Sequence, residues 1–169
     1  MPTGVLAQPL PGTTATMTPE QTRLVRHTWN QVAPSADAAA DMFYRRLFEI
    51  DPGTRKLFRA TEMVAQRKKL LQTLSFAING LDNPDGLVSK VEDLGRRHAG
   101  YGVTDAQYDS VGVALLWTLE QGLGPAWTPA VASAWTEVYG MLSGIMRNAA
   151  ARANGASAKR MAARYSRPM

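Results

Sequence analysis

Cysteine is absent from this 169-residue chain. That excludes disulfides, thiolate zinc centres, thiolate-held iron–sulfur clusters, cysteine nucleophiles and any thioether-linked prosthetic group. Histidine is nearly absent too, with only His27 and His98, so a metal cage built from several imidazoles is hard to assemble. No apolar run approaches the ~18 residues that a membrane-spanning helix needs. The opening MPTGVLAQPLPGTTATM lacks both the charged start and the continuous apolar stretch of a secretory signal, so a cytoplasmic location is the expectation. Alternating strand patterns and repeats of fixed period are missing as well.

An excess of positive charge exists, but it is local. The net charge is +5, yet six of the nineteen basic residues (Arg147, Arg152, Lys159, Arg160, Arg164 and Arg167) fall after position 146, where no acidic residue occurs. The rest of the chain carries thirteen basic and fourteen acidic side chains and is close to neutral. The segment ARANGASAKRMAARYSRPM has no apolar stripe and reads as a basic, disordered tail over residues 151–169. Weak attraction of that tail to an acidic surface is the alternative, but nucleic acid is not an expected partner of the neutral body.

What is present is helical punctuation. A hydrophobic fraction of 45% and a charged fraction of 20% suit one globular domain with its own core. Thr18-Pro19-Glu20-Gln21 offers an N-cap, a proline at the first helical position and a glutamine that can close a capping box. A second helix is expected from about Ser35 through Phe48, and Asp51-Pro52 repeats the cap-plus-proline start, with Asp51 as the cap, opening a short turn that reaches Leu57 and Phe58. A third helix runs from about Glu62 to Gly80. Pro84 opens another that His98 nearly closes, with Gly100 and Gly102 as stop signals. Thr104 and Gln107 form a further capping box ahead of a helix to Gly122, and Thr128-Pro129 starts the last one, through Ile145. The chain therefore reads as all-α, with seven or eight helices in one domain and a flexible extension over residues 1–17.

His98 stands out within this pattern. In VSKVEDLGRRHAGYGV, Val91, Leu94, Gly95 and His98 share one helical face. A histidine turned toward an apolar interior needs either a hydrogen-bond acceptor or a metal held through one ring nitrogen. With a single suitable imidazole, a cofactor that asks the protein for one ligand fits better than a bare ion. Haem is such a group.

From about Thr18 to Arg147 the chain resembles bacterial single-domain globins related to the globin domain of flavohaemoglobins. Five tracts in order carry the resemblance. They are FYRRLF with Phe43-Tyr44, Leu57-Phe58 after the Asp-Pro turn, QRKKLL with Gln66 and Leu70, LGRRHAGYGV with His98, and QYDSVG followed by AWTEVYG. The resemblance implies a globin fold over residues 18–150 and a non-covalent haem b with His98 as proximal ligand. Phe58 would wedge the haem. Tyr101 and Val103 in the loop after His98, Val111 on the next helix, and Leu70 would complete the lining. Tyr44 and Gln66 would be the distal pair, donating to a bound gas and worth ~1.5–3 kcal/mol each in a dry pocket. Lys69, Arg96 and Arg97 are placed to reach haem propionates.

On the proximal side the family pairs a tyrosine with a glutamate behind the histidine. Tyr108 matches the tyrosine, but Ala150 stands where the glutamate belongs. That departure argues against a strong push on bound oxygen, and it leaves His98 free to donate to a backbone carbonyl of its own helix. His27 reads as a surface residue. Three functions remain open. The first is reversible binding of dioxygen or another diatomic gas at a pentacoordinate or weakly hexacoordinate iron, for oxygen delivery or scavenging. The others are nitric oxide dioxygenation with electrons from a separate reductase, and gas sensing. Gas binding is the reading preferred here.

Overall fold

The computed structural model describes residues 17–59 and 61–165. The expected extension over 1–17 lies almost wholly outside the described residues. The described chain is built from six α-helices and four short 3-10 segments, with no strand among the described residues. The helices are α1 (Pro19–Val32), α2 (Ala36–Ile50), α3 (Met63–Asn79), α4 (Pro84–Gly100), α5 (Asp105–Leu123) and α6 (Pro129–Tyr165). The count falls short of seven or eight because the Asp-Pro turn forms the 3-10 segment Pro52–Phe58 and α6 is one continuous helix.

Local chemistry sets most of the helix ends. Thr18 and Gln21 close a reciprocal capping box at α1, as do Thr104 and Gln107 at α5, so two orphan N–H groups are satisfied at each start. Glu62 caps α3 with both carboxylate oxygens, accepting from the Val64 and Ala65 amides at 3.0 and 2.8 Å. Asp51 differs from expectation. Its side chain does not cap the segment it precedes but accepts from Ser110 at 2.8 Å, which ties the turn to α5.

The main core gathers Val25, Trp29 and Val32 of α1, Phe43, Tyr44 and Leu47 of α2, Ile78 of α3, Leu115 and Leu119 of α5, and Trp135 and Val138 of α6. Burial of these side chains accounts for most of the stabilisation, at ~25 cal/mol per Å² of apolar surface. One buried polar link crosses it: the Trp135 indole donates to the Thr28 hydroxyl at 2.9 Å, and that hydroxyl donates to the Leu24 carbonyl at 2.7 Å. A second cluster of Ala77, Leu87, Val91, Tyr108 and Met146 joins α3, α4, α5 and α6 around the base of α4. There the helices touch backbone to backbone at Gly95, where a Cβ would stand 2.5 Å from the Met146 carbonyl oxygen.

The tail departs most from its sequence-based expectation. Residues 151–165, expected to lack regular structure, continue α6 as an exposed helix. Lack of an apolar stripe argues against packing, not against helix. Alanine has the best helix propensity, and a packed segment already supplies the nucleus from which the helix propagates. No described helix is long and apolar enough to cross a membrane.

Candidate haem site

The residues anticipated for a haem site fall into two groups, named distal and proximal after their expected roles. The distal half comes from α2, the Pro52–Phe58 segment and α3. Tyr44 is 5% exposed, and its phenol oxygen accepts a hydrogen bond from Gln66 Nε2 at 3.1 Å. The Tyr44 ring meets Phe43 edge-on at 4.9 Å between centroids and Phe58 edge-on at 5.5 Å, and Phe48 closes the group at 5.8 Å from Phe58. Leu70, one turn beyond Gln66, packs half-buried against the main core. Burial raises the Tyr44 phenol above its usual pKa, partly offset by the Gln66 bond, so the side chain stays protonated.

The proximal half comes from α4, α5 and α6. His98 stands in the last turn of α4, and its Nδ1 lies 2.8 Å from the Leu94 carbonyl. A carbonyl oxygen can only accept, so Nδ1 carries the hydrogen and Nε2 keeps its lone pair. Burial lowers the imidazole's proton affinity; the Leu94 bond opposes that shift and neighbouring Arg97 reinforces it. The ring is therefore held neutral, the form that ligates a metal. Behind it, the Tyr108 ring stacks at 6.2 Å and 26°. The Tyr108 hydroxyl is buried and has no hydrogen-bond partner among the described residues.

Other anticipated residues have distinct placements. Val103 is half-buried beside the second cluster and Val111 beside the first. Tyr101 is 68% exposed, its ring centroid 6.3 Å from that of His98. Lys69 and Arg97 are exposed and make no ion pair among the described residues. Arg96 is already engaged with Glu92 and Asp93 of its own helix. His27 is exposed on α1, with Nε2 3.1 Å from the Gln31 amide.

Four residues of the proximal frame, Tyr139, Gly112, Arg147 and Asp109, carried no role in the sequence reading. Tyr139 donates its hydroxyl to the Tyr108 carbonyl, passing over Gly112, where a Cβ would meet the Tyr139 ring at 2.5 Å. Arg147 pairs with Asp109 at 2.6 Å and lies 5.2 Å from the centre of the Tyr108 ring. Spacing along one helix could not reveal these contacts, because each joins residues of different helices.

The donor set suits haem. One neutral imidazole offers Nε2 from the proximal side, while a protonated tyrosine and an amide stand among aromatic rings on the distal side. Among the described residues no group of three or more His, Cys, Asp or Glu side chains could hold a bare ion.

Comparison with known proteins identifies the family of the chain. The flavohemoprotein of Rhizobium meliloti (strain 1021) is 30% identical over 125 residues, covering 73% of this chain and 31% of its own length. That of Rhodopirellula baltica (strain DSM 10527 / NCIMB 13988 / SH1) is 31% identical over 125 residues, with the same coverage of each chain. This chain thus spans about a third of the flavohemoproteins that it matches. Neuroglobin of Danio rerio is 27% identical over 136 residues, covering 73% of this chain and 86% of its own. The crystal structure of a hexacoordinated heme protein from an anhydrobiotic tardigrade superposes with a TM-score of 0.71 at 16% identity, over 79% of this chain and 94% of that one. The family model described as Globin matches residues 41–146, so the chain belongs to the globin family and its cofactor is haem b.

Proposed function

We propose that the protein reversibly binds dioxygen or another diatomic gas, with His98 as the proximal ligand and Tyr44 and Gln66 as the distal donors. The observation that carries this reading is the direction of the Gln66–Tyr44 hydrogen bond. Gln66 donates and the phenol oxygen accepts, so the tyrosine's own proton remains available to a ligand. Haem, when bound, supplies an iron with an open position for a small gas. Tyr44 and Gln66 orient donors toward the partial negative charge that such a ligand acquires, and Phe43, Phe48 and Phe58 keep water from the same space.

The proximal side favours binding over oxygen activation. The Nδ1–H of His98 meets the neutral Leu94 carbonyl, and Ala150 offers no carboxylate. Without an anionic acceptor the imidazole gains little electron-donating power. Hexacoordination through a second histidine has little support, because His27 is an exposed residue of α1.

Each distal donor is expected to slow ligand release by about one to two decades, from ~1.5–3 kcal/mol per hydrogen bond at ~1.4 kcal/mol per decade. Tyr44→Phe and Gln66→Leu should each speed oxygen dissociation by at least about tenfold in stopped-flow displacement. Unchanged rates in both would remove the two-donor clamp.

The similarity to flavohemoproteins supports a second reading, oxidation of nitric oxide to nitrate by dioxygen with one electron per turnover from a reductase. Catalytic loss of nitric oxide with NADH and an added reductase would favour it. A single stoichiometric turnover points back to binding.

A further inference from the structure

Positive charge is concentrated beside the distal pocket. Residues 52–81 hold six basic side chains and one acid, Glu62, whose carboxylate is occupied in capping α3. Arg67 is paired with Asp37 and Asp41, whereas Arg55, Lys56, Arg59, Lys68 and Lys69 are exposed and make no ion pair among the described residues.

Arg55, Lys56 and Arg59 do not stand on a featureless surface. They rim a groove of about 520 Å³ whose apolar floor is Phe48, Phe58 and Met63. The Arg55 guanidinium lies over the Phe48 ring at 4.8 Å. Phe48 and Phe58 are shared by the groove and the distal cluster: both line the groove, and Phe58 meets Tyr44 edge-on at 5.5 Å. A partner seated there is one aromatic ring from the haem pocket.

We infer that this cationic groove is the docking surface for an acidic one-electron carrier, a flavin or iron–sulfur protein, that reduces the haem. The inference rests on the gas-binding reading, because dioxygen is taken up by ferrous and not ferric haem. In the step itself the carrier loses one electron and the ferric haem gains it, and no bond forms or breaks. Charge complementarity selects the partner. Three unpaired cations around an apolar floor attract a carboxylate-rimmed apolar patch and steer its approach, which raises association rates by ~10- to 10³-fold at low salt. The basic end of α6 is a separate patch of charge. Lys159, Arg160 and Arg164 are exposed, and none of them lines the groove floored by Phe58.

The test uses the full haem-loaded chain and a flavodoxin as the acidic carrier. Reduction of ferric protein by reduced flavodoxin, followed at the Soret band, should slow as ionic strength rises. It should also slow by at least about tenfold at low salt in the triple variant Arg55→Gln/Lys56→Gln/Arg59→Gln. Titration of ferric protein with oxidised flavodoxin should show a matching loss of affinity, a readout independent of electron transfer. Reduction by dithionite and oxygen dissociation should stay within about twofold of wild type. The matched variant Lys159→Gln/Arg160→Gln/Arg164→Gln should react with flavodoxin as wild type does.

A flavodoxin rate and affinity unaffected by the groove substitutions, or lowered equally by the tail substitutions, overturns the proposal. So does capture of the protein by phosphatidylglycerol vesicles through the same three residues without flavodoxin binding. Failure of the gas-binding reading looks different, because wild type and variant alike would then form no oxygen complex after dithionite reduction.

Discussion

Replacing Gly95 by alanine should loosen the helix that carries His98. The added Cβ would stand 2.5 Å from the Met146 carbonyl oxygen, 2.7 Å from its Cα and 2.9 Å from its carbonyl carbon. These are backbone atoms of α6 and cannot rotate aside. Ordinary contact begins near 3.4 Å, so α4 and α6 must separate locally by about 0.9 Å. Overpacking a close-packed site costs ~1–3 kcal/mol, and a backbone obstacle puts this site at the upper end. Alanine's better helix propensity offsets ~1 kcal/mol, which leaves a net loss of ~2 kcal/mol. Gly140→Ala on the exposed side of α6 is the control. Its Cβ meets nothing within 4 Å, so it should gain ~0.5–1 kcal/mol. Urea denaturation of the haem-free proteins should therefore separate the two variants by ~3 kcal/mol. His98 lies one turn beyond Gly95 on the same face, so haem transfer to an acceptor apoglobin should accelerate in Gly95→Ala and not in Gly140→Ala. A Gly95→Ala protein as stable as Gly140→Ala, with unchanged haem loss, would refute the argument that this contact sets the position of α4.

Two further outcomes follow from buried polar groups. Thr28→Val keeps the side chain's shape but removes the hydroxyl that accepts from the Trp135 indole, a side chain only 1% exposed. Leaving that N–H unpaired should cost ~1–3 kcal/mol by denaturant titration, and a loss under about 0.5 kcal/mol would mean that the bond carries little weight. The second outcome is a pH dependence of the haem-free protein. Burial holds the folded pKa of His98 below its ordinary value of ~6.5, so below that pH the unfolded chain binds more protons than the folded one. The His98 contribution is fully present above pH ~6.5, declines as pH falls below it, and levels off once pH passes the lower folded value. Urea midpoints across this range should flatten in His98→Phe, and an equally steep dependence in that variant would assign the effect elsewhere.

Much of the candidate site was legible because its information is local. A helical period of three to four put His98 on the face of Val91, Leu94 and Gly95, and a carbonyl of its own helix, that of Leu94, is its hydrogen-bond acceptor. The capping boxes at Thr18 and Thr104 were visible for the same reason, since partners three residues apart meet wherever the chain turns into a helix. Asp51 misled because its carboxylate found Ser110, 59 positions away, in place of the nearby amides. Residues 151–165 misled because an absent apolar stripe says what a helix fails to pack against and not whether it forms.

By itself, then, the sequence determined the helical class, the helix starts, the absence of any thiol or multi-histidine metal site and the singling out of His98. Each of these follows from residue type or from spacing within one or two turns. The tertiary structure alone decided that Gln66 donates to Tyr44, that Tyr139 reaches over Gly112 to hold Tyr108 behind His98, and that Arg55, Lys56 and Arg59 surround the groove floored by Phe58. Those contacts depend on how far one helix stands from another, a distance set by packing at points such as Gly95 and Met146, and no periodicity along a single helix records it.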